Sequence, residues 1–69
     1  MKTVKEVSEL TGISIRTLRY YDEIGLLKPT KITAAGYRLH DENSLKQLRE
    51  IMFYREFEIP LSEIKMIME

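Results

Sequence analysis

Arg19 and Tyr20 lie three and four residues beyond Arg16, a spacing that puts all three on one side of a helix. Their groups are two guanidinium forks and a phenol. A guanidinium presents five N–H donors in a fixed plane, suited to bidentate bonds with phosphate oxygens or with paired acceptors on a base edge. Ser14 and Thr17 add hydroxyls beside them, and Tyr37-Arg38 repeats the phenol and guanidinium further along the chain. Such a set suits recognition of a polyanion. Groups for bond-making chemistry are scarce: there is no cysteine, a single histidine (His40) and no coherent carboxylate pair. Disulfides, thiolate metal sites and thiol nucleophiles are excluded. No nucleophile and base pair up, so neither an enzyme nor a cofactor or metal site is expected.

These residues must be held by local structure. Thr3 followed by Glu6 forms a capping box that starts a helix, and Val4, Val7 and Leu10 recur along one face of it. Gly12 ends it, because glycine accepts the left-handed conformation that closes a helix. Ser14 then caps a second helix, in which Ile15, Leu18 and Tyr21 face the core and Arg16, Thr17, Arg19 and Tyr20 face outward. Two short helices joined by a glycine-bearing turn form a helix-turn-helix. Gly25 closes the second helix, Pro29 prevents helix from continuing, and Ala35-Gly36 marks a turn. A hairpin pairing Leu27–Pro29 with Tyr37–Leu39 is predicted, a wing beside the helix pair. Asp41 caps a third helix with Leu45, Leu48, Ile51 and Met52 in its apolar stripe, Glu58-Ile59-Pro60 breaks it, and a fourth begins at Leu61. The predicted class is mainly α, a winged helix-turn-helix with four helices (about 3–11, 14–24, 41–57 and 61–69) and a two-stranded wing (about 27–39). The fourth helix reaches the last residue without a stop signal, which predicts a longer protein.

Sixty-nine residues make one small domain that buries about 60% of its unfolded surface. No apolar run approaches the roughly 20 residues of a membrane helix, and the charged start is unlike a signal peptide, so a cytoplasmic protein is expected. Net charge is zero, but residues 1–40 hold seven basic against four acidic side chains and residues 41–69 the reverse. That asymmetry suits a surface meeting a polyanion; uneven solvated faces account for it equally well.

The segment from Thr17 to Pro29, with its Arg19-Tyr20-Tyr21-Asp22-Glu23-Ile24-Gly25-Leu26-Leu27 core, resembles the recognition helix and exit of the MerR family of regulators. Ala35-Gly36-Tyr37-Arg38-Leu39-His40 is similar to that family's Gly-Tyr-Arg-x-Tyr wing, and Leu61-Ser62-Glu63-Ile64 to the start of its fourth helix. The match runs collinearly along essentially the whole chain, and Thr33–Leu39 is closest to the drug-responsive members. His40 replaces the usual tyrosine at the wing base, and Glu58 replaces a glycine common before the fourth helix.

The resemblance implies the N-terminal DNA-binding domain of a homodimer on a palindromic operator of double-stranded DNA. It further implies promoter distortion, RNA polymerase as a partner, and a dimerisation helix and effector domain outside this chain, which alone is expected to be monomeric. In a helix-turn-helix the start of the second helix meets base edges, which assigns Ser14, Arg16 and Thr17 there, Arg16 as the base reader. Arg19 and Tyr20 fall to phosphates, Tyr37 and Arg38 to flanking backbone, and Lys31 and Arg55 to supporting charge, Arg55 at a second wing. Plainer roles compete. Tyr20 and Tyr21 both read as core aromatics, the core being favoured for Tyr21 over the phosphate contact that the resemblance also implies for it. Arg38 reads as a cover for the hairpin, Arg55 as the partner of Glu56 or Glu58, and Asp22 and Glu23 as solvated helix-end charges or as groups that deter misplaced phosphates. His40 reads as a packing residue, and Met52, Met66 and Met68 as core or buried partner surface. A protein-binding module and an excisionase-like architectural DNA bender are the alternative functions on this fold.

Overall fold

In a computed structural model all residues, Met1–Glu69, are described. The elements run β1 (Lys2–Thr3), α1 (Val4–Thr11), α2 (Ile15–Glu23), β2 (Lys31–Ile32), β3 (Arg38–His40), α3 (Glu42–Glu56) and α4 (Leu61–Met68). No helix is long and apolar enough to cross a membrane. Each of the first three helices starts on a side-chain cap. The Thr3 hydroxyl accepts from the Glu6 amide at 3.2 Å while the Glu6 carboxylate accepts from the Thr3 amide at 3.0 Å. Ser14 Oγ accepts from the Thr17 amide at 3.1 Å and Asp41 Oδ1 from the Ser44 amide at 2.9 Å. Each satisfies a donor that the first helical turn leaves unpaired.

The core gathers Val7 from α1, Leu18 and Tyr21 from α2, Leu26 and Leu27 from its exit, Leu45, Leu48 and Ile51 from α3, and Ile64 from α4. Leu10, expected on the apolar face of α1, is 60% exposed. With 100° per residue, the position nearest Val7 one turn on is Thr11 rather than Leu10. Thr11 takes the inward place, its hydroxyl donating to the Val7 carbonyl at 2.8 Å. The same drift separates Ile67, half exposed, from Met68, which packs on the core around Ile64. Ile15 is more open than expected, and Met66 lies exposed rather than buried.

The sheet differs from the predicted two-stranded hairpin. It has three antiparallel strands in the order β1-β3-β2, with Lys31 opposite Leu39, Ile32 opposite Arg38, Lys2 opposite His40 and Thr3 opposite Leu39. Leu27–Pro29 is not a strand. Leu26 and Leu27 are drawn into the core, their amides bonding the Tyr21 carbonyl, and Pro29 has no N–H for a ladder. Pairing therefore begins at Thr30, whose amide donates to the Leu39 carbonyl at 2.9 Å, and the turn closes through the Gly36 amide on the Thr33 carbonyl. β1 has only two residues, too few to show alternation, and it forms because β3 offers an unpaired edge beside the start of α1.

Two helices end alike on different residues. At α2 the Leu26 amide reaches back to the Tyr21 carbonyl and the Gly25 amide to that of Asp22, with Gly25 at φ 75°. At α3 the Ile59 amide reaches Tyr54 and the Glu58 amide reaches Arg55, with Glu58 at φ 58°. Both are Schellman closures, whose left-handed position favours glycine. Glu58→Gly is accordingly expected to stabilise the chain by about 0.5–1 kcal/mol. This is a left-handed penalty of roughly 1–2 kcal/mol less the extra freedom of glycine when unfolded. The midpoint of urea unfolding should rise; a midpoint that stays or falls means Glu58 sits there without strain.

His40 is buried, its Nδ1 2.7 Å from Ser44 Oγ, so the histidine at the wing base joins β3 to the first turn of α3. Burial pushes its imidazole below the usual histidine range, against the pull of Asp22 and Asp41, which favours the neutral ring.

Candidate nucleic-acid interface

Leu18 and Tyr21 anchor α2 by one side, and a helix held by one side must show the other to solvent. Arg16 and Arg19 are exposed and Tyr20 is 50% exposed. These three line one shallow groove with Ile15 and Glu23, so the spacing read from the sequence does bring them together. At the N-terminal end of α2 the Ser14 hydroxyl donates to Thr17 Oγ1 at 2.9 Å while capping the Thr17 amide. Ser14 is thus committed within the helix start, and the Thr17 hydroxyl keeps its own proton to donate outward.

Arg19 also lines a second groove, between the start of α1, α2 and the wing, with Lys5, Tyr37 and Arg38. Tyr37 is 66% exposed at the end of the wing turn, where its amide donates to Thr33 Oγ1 at 3.0 Å. Lys5 was not singled out from the sequence. Its charge was the only signal, since its place beside the wing follows from the pairing of β1 with β3. Lys31 is exposed on β2.

Arg38 neither lies free nor merely covers the hairpin. Its Nε donates to Asp22 Oδ2 at 2.6 Å, and Lys28 Nζ stands 3.2 Å from Asp22 Oδ1. Asp22, read as a solvated helix-end charge, is only 14% exposed and receives both cations. Partial burial raises its pKa, but the bonds from Arg38 and Lys28 and their charges outweigh that, and the carboxyl ends below its usual range. The sequence placed Asp22 on the last turn of a helix but did not disclose that Lys28 and Arg38 return to it.

Arg55 sits elsewhere. Its Nη1 donates to the Tyr21 hydroxyl at 2.6 Å, and it forms no ion pair with Glu56 or Glu58. It lines a third groove with Thr17, Ile13 and Met52, at the opposite side of the α2 start from the wing. The phenol of Tyr21 thus serves as a buried acceptor between α2 and α3.

A family model described as "MerR family regulatory protein" matches residues 3–39. The chain is 47% identical over 66 residues to the HTH-type transcriptional activator Mta of Bacillus subtilis, covering 96% of this chain and 26% of Mta. It is 39% identical over 67 residues to the HTH-type transcriptional activator TipA of Streptomyces coelicolor, covering 97% of this chain and 26% of TipA. The chain therefore spans about a quarter of the length of these relatives. The crystal structure of MtaN, the N-terminus of the multidrug transporter activator of Bacillus subtilis, superposes with a TM-score of 0.97 at 45% identity, over 100% of this chain and 65% of that one. Likeness of sequence and of fold thus coincide over the helix-turn-helix and the wing, and the chain belongs to the MerR family of regulatory proteins.

Proposed function

We propose that residues 1–69 form the N-terminal DNA-binding domain of a dimeric transcriptional regulator, gripping one half of a palindromic operator. The observation that carries this is the exposed side of α2, where Arg16, Arg19 and Tyr20 share a groove that meets Lys5, Tyr37 and Arg38 through Arg19. A helix fits the major groove, where each base pair shows a distinct pattern of donors and acceptors. Arg16, near the start of α2, bonds a base edge; Ser14 sets the helix start and Thr17 offers its hydroxyl proton. Arg19 and Tyr20 hold phosphates on one flank, Tyr37, Arg38 and Lys5 on the next, and Arg55 offers what its bond to Tyr21 leaves free. Phosphate contacts fix register while base contacts read sequence.

The regulator as a whole is proposed to dimerise through residues outside this chain, to act in the cytoplasm by distorting promoter DNA for RNA polymerase, and to take its signal in a separate domain. Mta and TipA are named transcriptional activators, which favours activation. The role is binding rather than catalysis, with no cofactor assigned to this domain.

An amide-shift titration of the 69-residue chain with a mixed-sequence duplex tests this reading. Residues 14–20 and 36–38 should shift together, and with three cations on phosphates (Lys5, Arg19, Arg38) doubling the salt should weaken binding about sixfold. Shifts confined to the acidic α3–α4 side, or binding indifferent to salt, would favour a protein partner instead.

A further inference from the structure

We propose that Asp22 is a positioning residue of the DNA interface: it ties the wing, through Arg38, to the end of α2 so that both meet the duplex at a fixed spacing. This rests on the DNA-binding reading above and names a residue that reading does not use.

Both ion pairs of the molecule converge on this one carboxylate, Arg38 on Oδ2 and Lys28 on Oδ1. The cations come from different segments, Lys28 from the exit of α2 and Arg38 from β3. The Arg38 bond is the only side-chain hydrogen bond joining α2 to the wing, where β2 is just two residues long. It engages Nε and leaves the terminal nitrogens of the guanidinium without a partner in the chain. Those nitrogens remain for a phosphate, on an arginine whose rotamer is already chosen. One anion holds two cations, so this corner stays positive toward DNA. An acidic residue behind a phosphate-binding arginine thus strengthens the contact by ordering it, where bare Coulomb reasoning assigns it repulsion.

The two readings predict opposite signs. Asp22→Asn in the 69-residue chain, titrated with a mixed-sequence duplex of about 20 base pairs, should bind roughly three- to tenfold more weakly, the cost of ordering one long side chain. Its salt dependence should flatten by about one unit as a phosphate contact is lost. In an Arg38→Gln background the same change should alter affinity less than about twofold, since the clamp has nothing left to position. Tighter binding by Asp22→Asn, or an equal loss in the Arg38→Gln background, overturns the proposal. A readout on the unmutated chain guards against a variant that does not fold. The Arg38 Nε–H should exchange with water more slowly than that of exposed Arg16, and equal rates also overturn it. If the unmutated chain binds no duplex even at low salt, the DNA reading falls and takes this role with it. The Nε–H signal then tells an absent interface from an absent clamp.

Discussion

Tyr21→Ala should remove a third or more of the chain's stability, while Tyr21→Phe keeps most of it. Tyr21 is the largest of the fully buried side chains, set between α2 and the long third helix. Removing a buried ring of that size costs about 3–5 kcal/mol in lost transfer energy and cavity. A domain of 69 residues has only about 3–10 kcal/mol in total. Phenylalanine keeps the ring and loses only the acceptor for Arg55, worth about 0.5–1.5 kcal/mol and partly recovered because the exposed guanidinium rehydrates. Urea unfolding followed by circular dichroism separates the cases. An alanine variant with an unchanged midpoint contradicts the placing of this ring at the centre of the core. A phenylalanine variant that is fully folded yet binds DNA far more weakly shows that the Tyr21 hydroxyl holds Arg55 in the pose that meets the duplex.

Arg16→Ala should remove preference at a single base position. A bidentate guanidinium contact to guanine is worth about 1–3 kcal/mol of discrimination, or roughly five- to 150-fold between the right base and a wrong one. The side chain is exposed and engages no partner in the free chain, so stability should hardly change. The measurement is selection from randomised duplexes, followed by affinities for the preferred site and its single-base variants. One position should go flat while the others keep their ranking. Uniform weakening at every position would reassign Arg16 to a phosphate, and the base reader would then have to be Thr17.

Helix closures show how far local pattern reaches. Gly25 signals its left-handed turn by being glycine, and Glu58 adopts the same turn with no such mark, so only the break around Pro60 was legible there. The strand pairs were misplaced for a related reason. Apolar residues at 26 and 27 fit a strand or a core exit equally well in the sequence, and burial against Tyr21 decides between them. Leu10 fits an apolar face by spacing alone, but each three-residue step from Val4 through Val7 falls about 60° short of a full turn, which carries Leu10 off the buried face.

What the sequence by itself determined lies within one helical turn: the caps at Thr3, Ser14 and Asp41, the spacing of Arg16, Arg19 and Tyr20, and four helices with a wing. Such features rest on hydrogen bonds three or four residues long, whose geometry the backbone supplies wherever the right side chain stands. Only the tertiary structure decided that Asp22 meets Arg38 across 16 positions, that Tyr21 meets Arg55 across 34, and that β1 joins β3 and so brings Lys5 to the wing. Those contacts carry no local signature, because they depend on how separate elements close on a shared core, and any of several cations in the chain would have suited either partner equally well on charge alone.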